Sequence, residues 1–195
     1  MMKSLKLGLL VVLALSLGAC GVQSIPQAKN DVEASLAEVT NQYKRRSDLI
    51  PNLVATVKGY AKHEKETLES VIEARAKATQ VTVDPQKLNP ETLQKYQQSQ
   101  GQLASALGRL MVVAERYPNL KADQNFRDLQ AQLEGTENRI TVARNRNIEA
   151  IKNFNNQVTV PPTSWTNSLF YKFEKLPQWT VQNAESLETA PKVEL

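Results

Sequence analysis

The chain is poor in the residues that most chemistry needs. It has one cysteine, one histidine, seven glycines and only 6% aromatic residues in 195 positions. A single cysteine excludes an intramolecular disulfide, and one cysteine with one histidine excludes a multi-Cys/His zinc site. With so few glycines there is no glycine-rich phosphate loop. The dipeptide His63-Glu64 resembles the start of a helical zinc motif, but the second histidine that motif needs at i+4 is missing, because position 67 is Thr67. His63 is flanked by Lys62, Glu64 and Lys65, the text of a solvated helix face. Charge is nearly balanced. Without Lys3 and Lys6, which fall in the N-terminal address described next, 22 cationic residues face 20 anionic ones, too small an excess to argue for nucleic acid. No catalytic residue, metal ligand or cofactor site is assigned.

What is present begins with an address. Lys3 and Lys6 precede an apolar run of 11 residues, Leu7 to Leu17. A helix needs about 20 apolar residues to cross a bilayer, so the run suits the core of a signal peptide rather than a span. Leu17-Gly18-Ala19-Cys20 then resembles the bacterial lipobox, in which the cysteine becomes the lipidated first residue of the mature protein. Residues 1–19 are therefore expected to be a signal peptide and 20–28 a lipidated linker. Covalent lipid on Cys20 would be the only non-protein group, and acyl chains there would hold the protein to a membrane at about 0.8 kcal/mol per buried CH₂. The domain would face the periplasm or the cell surface. By similarity to Gram-negative lipoproteins, Gly21 after the cysteine permits export to the outer membrane.

The rest is rich in Ala, Leu, Glu, Lys and Gln, and it repeats apolar residues every three or four positions, which is the pattern of amphipathic helices. Val32, Leu36, Val39 and Tyr43 start the first stripe. Ile50, Leu53, Val57, Tyr60, Leu68, Val71, Ala74 and Ala78 carry it on to about residue 80, with the carboxylate of Glu64 inside it. Pro51 predicts a kink or short break at 47–51, with Ser47 and Asp48 placed to cap a restarted helix. Asn89-Pro90 opens a third helix over 90–117, whose stripe runs Leu93, Tyr96, Gln100, Leu103, Leu107, Leu110, Ala114 and Tyr117. Gly101 and Gly108 inside it suggest the close approach of a neighbouring helix. Asp123 caps a fourth helix, 123–158, with Phe126, Leu129, Leu133, Thr136, Ile140, Ala143, Asn147, Ile151, Phe154 and Val158 inward. The fold class is thus all-α, an antiparallel up-down bundle of three to four long helices over 29–158, the first kinked near Pro51. An aromatic-rich segment, 159–182, follows, in which Pro161-Pro162 stops the fourth helix and Ser164 is placed to cap a short one. It is expected to fold back over one end of the bundle, with contact to a membrane or partner as the alternative, and 183–195 is expected to be a disordered tail.

Four polar positions stand out besides Cys20. Arg45 and Arg46 precede the proline and are either an ion-pairing or solvated pair or a lipid-phosphate contact. Glu64 needs a partner inside its stripe; Arg75, Arg139, Arg144 and Arg146 are the candidates, and a polar cavity is the alternative. Asn147 in the fourth stripe is a register-setting buried amide.

Three passages, RRSDLIPNLVATVKGYAKHEKETLESVIEARAKA (45–78), GRLMVVAERYPNLKADQNFRDLQAQLEGTENRITVARNRNIEAIKNFN (108–155) and the closing APKVEL, resemble the LemA family of bacterial membrane-associated proteins. The resemblance covers about residues 29–173. It implies an antiparallel helical bundle tethered to a membrane by its N-terminus, with no established enzymatic activity. The chain departs from the family where relatives more often begin with a transmembrane helix, where they often carry tryptophan near position 36, and at Val160-Pro161-Pro162. The expected function is a lipid-anchored, non-catalytic scaffold or partner of an envelope protein. A module binding lipid head groups through Arg45, Arg46 and the aromatics of 165–179, and a ligand-binding or enzymatic cavity around Glu64, are the alternatives.

Overall fold

The computed structural model describes residues 2–179, with side chains from residue 22 onward and Lys87 excepted. Cys20, as a side chain, and the tail 183–195 lie outside the described residues. The architecture is all-α: α1 Met2–Tyr60, α2 Lys65–Gln80, α3 Pro90–Ala114, the short α4 Pro118–Ala122, α5 Gln124–Thr159 and the single turn α6 Thr163–Thr166. A 3-10 turn, Pro85–Lys87, joins α2 to α3, and a π turn, Asn167–Tyr171, follows α6. Among the described residues no helix is long and apolar enough to cross a membrane.

The helix starts follow their caps. Thr92 N–H donates to Asn89 Oδ1 at 2.8 Å, with Pro90 in the first turn of α3. Phe126 N–H donates to Asp123 Oδ1 at 2.9 Å at the start of α5. Each satisfies one of the donors that a helix start leaves open. At the last short helix the sequence expectation fails, because α6 begins at Thr163 and Ser164 provides no cap.

The long stretch 45–78 is not one helix. It divides at Ala61–Glu64, a turn closed by Ala61 N–H to Val57 O at 2.8 Å and Glu64 N–H to Ala61 O at 3.1 Å. The reason is the length of the partner. α1 and α5 run antiparallel, from Ser24 against Gln157 through Arg46 against Glu137 to Tyr60 against Asp123 at the start of α5. Beyond Tyr60 there is no α5 left to cover a continuing stripe. Leu68, Val71, Ala74 and Ala78 are buried only because α2 turns back against Ile50, Leu53 and Val57 and against α3. Each fully buried aliphatic side chain contributes about 1.5–3 kcal/mol, so this stripe outweighs the local helix preference of four turn residues.

No break or restart occurs at Pro51, and Ser47 and Asp48 lie inside α1 rather than capping anything. A proline leaves the carbonyl four residues earlier without its N–H partner, and burial of that carbonyl would be costly. Here Arg75 Nε, on α2, donates to Ser47 O at 2.9 Å. The other proline inside α1, Pro26, frees Val22 O at an exposed position, and that carbonyl accepts the Tyr171 hydroxyl at 2.6 Å.

Two cores result. One, between α1, α2, α3, α4 and the start of α5, centres on Leu53, Val57, Val71, Leu103, Leu110, Leu120 and Phe126. The other lies where α1 and α5 continue together, around Val32, Leu36, Val39, Ile140, Ile151 and Phe154, with Leu88, Leu93, Tyr96 and Trp179 joining from outside the pair. Residues 167–179 strap this second part. Asn155 and Leu176 share two bonds: Asn155 Nδ2 donates to the Leu176 carbonyl at 2.9 Å, and Leu176 N–H donates to Asn155 Oδ1 at 2.8 Å. Phe173 packs on Phe154 with ring centres 5.9 Å apart. The expectation of close helix approach at Gly108 is overturned, since a Cβ built there meets nothing within 4 Å.

Arg75→Ala will destabilise the fold by about 1–3 kcal/mol in urea titrations, the cost of an unmet buried carbonyl. In a Pro51→Ala background, where the restored backbone N–H of that position can serve Ser47 O, the same change will cost clearly less; equal costs in the two backgrounds would refute the link. Asp123 generates a pH dependence. The Phe126 N–H and the Tyr60 hydroxyl hold its carboxyl below the usual 3.8. A folded value below the unfolded one gives stability that is full above the unfolded value and is lost as pH falls through the folded value. Asp123→Asn will therefore flatten the acid limb of the stability–pH curve below about pH 4, read by thermal melts across that range.

Candidate functional site

The polar groups of the interior collect where the two cores meet. Arg46 is 2% exposed, although it lies in a polar stretch of α1. Its helix aims it between α3 and α5, three residues after Tyr43 and four before Ile50 on the same buried face. Nη1 donates to Glu137 Oε1 at 2.6 Å, and Nη2 donates to both Gln100 O at 3.1 Å and Gln100 Oε1 at 2.8 Å. Gln100 in turn donates through Nε2 to Ala78 O at 3.1 Å, one of the carbonyls that the end of α2 leaves open. One guanidinium and one amide thereby tie α1, α3, α5 and α2 together at a single level.

The network continues along the bundle through rings. The Arg46 guanidinium lies 5.0 Å from the Tyr43 ring centre, and Tyr43 meets Tyr96 edge to face at 5.5 Å. Burial pushes the hydroxyl pKa of both tyrosines upward, and at Tyr43 the nearby Arg144 and Arg46 oppose that rise. Arg144 stands 5.0 Å over the Trp179 ring. Trp179 Nε1 donates to Asn147 Oδ1 at 2.6 Å, and Asn147 Nδ2 donates to Ser35 Oγ at 2.9 Å and Val32 O at 3.3 Å. Asn147 is wholly buried and links α1, α5 and the C-terminal strap.

Two clefts flank this line. One of about 510 Å³ is lined by Tyr43, Ser47, Asp48, Val81, Tyr96 and Gln100 among others. The other, about 300 Å³, is bordered by Arg46, Gln97, Gly101, Glu137 and Arg144. Ser47 Oγ on the first and Arg46 Nε and Arg144 Nε on the second have no protein partner. Chemically the arrangement is a cationic, hydrogen-bonding seam with neutral phenols. Among the described residues no group of three or more His, Cys, Asp or Glu is placed to hold a metal ion.

Of the residues singled out in the sequence, the structure brings Arg46 and Asn147 into this one seam. Arg45 is exposed and apart from it, so the two adjacent arginines have unrelated surroundings. A lipid-phosphate role for Arg46 is excluded by its burial; the interhelix ion pair is what it makes. Glu64 sits at the far end, in the turn between α1 and α2. Its partners are Arg116 Nη2 and the Tyr117 hydroxyl, both at 3.0 Å, not any of the four arginines expected. The carboxylate, 17% exposed, raises the Tyr117 hydroxyl pKa above its ordinary value through that hydrogen bond. Sequence reasoning had Tyr43 and Gln100 only as stripe members, Arg144 only as a candidate partner for Glu64 and Trp179 only among the C-terminal aromatics, and it assigned no role to Glu137. Gln100 carried a signal, as the polar member of an otherwise apolar stripe. Glu137 carried none, being one of many helix-surface carboxylates until Arg46 is seen opposite.

Loss of either partner of this half-exposed pair will have unequal cost. Glu137→Gln leaves the buried cation of Arg46 without its counter-charge and will destabilise by roughly 1–3 kcal/mol. Arg46→Met keeps the volume, while Glu137, 48% exposed, turns to water, and it will cost less. Chemical denaturation of both variants checks the order, and a larger loss for Arg46→Met would contradict it.

The model of the LemA family matches residues 35–195, which includes α1 from Ser35, α2, α3, α5 and the strap. A protein named LemA from Metamycoplasma hominis is 27% identical over 147 residues, 75% of this chain, and the chain spans 62% of that relative's length. With a family model matched over most of its length, from the first stripe through the strap, the chain belongs to the LemA family.

Proposed function

We propose that the protein is a lipid-anchored helical bundle of the bacterial envelope that acts by contact rather than catalysis, holding or positioning another envelope protein. The observation that carries this reading is how the interior polar residues are spent. Arg46, Gln100, Glu64 and Asn147 direct their hydrogen bonds from helix to helix, which builds a stiff body and leaves recognition to the outer face. On the outer surface Ile72 of α2 and Val112 of α3, 51% and 70% exposed, offer apolar contact on two helices that pack together. Support for the anchor comes from Leu17-Gly18-Ala19-Cys20 after its short apolar run. The domain would face the periplasm or the cell surface, with the outer membrane as its site where one exists.

Cys20→Ser will move the protein from the membrane fraction to the soluble fraction, read by fractionation and immunoblot; retention in the membrane would refute the anchor. Photo-crosslinkers at Ile72 and Val112 in intact cells will give one shared adduct, identified by mass spectrometry, and the adduct will vanish with Ile72→Glu. Absence of any adduct from both positions would count against a contact role for this face.

A further inference from the structure

Of the nine large hydrophobic side chains that stand exposed among the described residues, five collect at one end of the molecule: Val22, Val160, Trp165, Leu169 and Phe170. Three of them are about two thirds or more open to water, Trp165 at 65%, Leu169 at 74% and Phe170 at 71%. Soluble surfaces seldom group such residues without use.

This exposure is built, not a frayed end. Thr166 and Asn167 on the opposite side of the same turn are each 7% exposed. The Asn167 side chain fixes the segment by three bonds, donating to Val158 O at 3.3 Å and Phe173 O at 3.0 Å and accepting from Phe173 N–H at 3.0 Å. Positions 165, 169 and 170, spaced as one face of the turn, are thereby held outward. Other aromatics of the same segment, Tyr171 and Phe173, are stacked at 5.5 Å and packed against the second core. The segment thus sorts its rings into an inner and an outer set.

The position of the outer set names its occupant. The Tyr171 hydroxyl bonds Val22 O, so the patch is fixed against α1 two residues after Cys20, about 3 Å of helix rise away. Cationic residues follow it directly in the chain: Lys172 and Lys175 are exposed, with one carboxylate, Glu174, between them, and the Lys29 ammonium lies 4.7 Å over the ring of the inner-set Phe173. Tryptophan with aliphatic and aromatic neighbours and flanking lysines is the chemistry of the interfacial layer of an anionic bilayer. We infer that residues 160–171 with Val22 form a foot that enters the lipid headgroup layer beside the acylated Cys20. This rests on the lipid-anchor reading above, and it gives the anchored helix α1 a second membrane contact, with the bundle held at a defined angle to the membrane.

The chain has two tryptophans, one outward and one buried, which makes the test direct. The acylated protein, wild type and Trp165→Phe, is reconstituted in phosphatidylethanolamine–phosphatidylglycerol vesicles containing lipids brominated near the headgroup end of their chains. Wild type will lose the Trp165 share of its emission, and what remains will match Trp165→Phe, whose buried Trp179 is unquenched. Emission unaffected by bromolipid, with Trp165 still quenched by aqueous iodide, would overturn the foot. In Cys20→Ser protein without vesicles, iodide will quench Trp165; shielding there would mean that another part of the chain or a second copy covers the patch, and would also overturn it. The mass of the N-terminal peptide reports the anchor separately. An unmodified Cys20 overturns the anchor, whereas an acylated Cys20 with an unquenched Trp165 overturns the foot alone.

Discussion

The buried guanidinium of Arg46 is the constraint around which the rest of the molecule is arranged. A cation removed from water must be met by charge and by hydrogen bonds, and the partners it finds come from separate helices. Glu137 supplies the charge from α5, and Gln100 supplies a backbone and a side-chain oxygen from α3 while reaching on to the end of α2. Apolar cores tolerate sliding of one helix along another far better than such a set of directed bonds does. The register of four helices is therefore set at this level, with one core on either side of it.

The two prolines inside α1 make the same point from the backbone. Each leaves a carbonyl without its helical donor, and each carbonyl is met by a side chain from a distant element: Arg75 at Ser47 and Tyr171 at Val22. A defect in one helix becomes a docking point for another. At Pro51 the docking point receives α2, which has folded back after the turn at 61–64. At Pro26 it receives the strap, which brings the C-terminal segment to the end of the molecule where α1 emerges. The prolines act as sockets.

The strap gives the second half of the molecule what a pair of helices lacks. Two helices alone bury one narrow stripe each. Trp179, Leu176, Phe173 and Tyr171 add a third wall, and Asn147 locks it through the indole N–H. The same segment, reversed at Lys172 in left-handed backbone, points Trp165, Leu169 and Phe170 away from the body. Packing and presentation are thus both performed by fewer than twenty residues, and the proposed anchor emerges beside the presented face.

How much of this was legible from the residues depends on whether the cause was local. The all-α class, the caps at Asn89 and Asp123, the inward stripe of α5 and the buried Asn147 follow from periodicity and from the unmet donors of helix starts, which any short window of sequence contains. The resemblance to the LemA family was carried by long passages of text. The division of 45–78 was not legible, because it depends on where α5 begins opposite Tyr60. The identity of neighbours behaved in the same way: Arg45 and Arg46 look alike in sequence, yet one faces water and the other Glu137, and Glu64 found Arg116 and Tyr117 rather than an arginine of its own or the fourth helix. Sequence determined which residues would seek burial or a partner, since that is a property of each side chain. Only the tertiary structure decided which partner each one met, because that depends on the lengths and offsets of helices far apart in the chain.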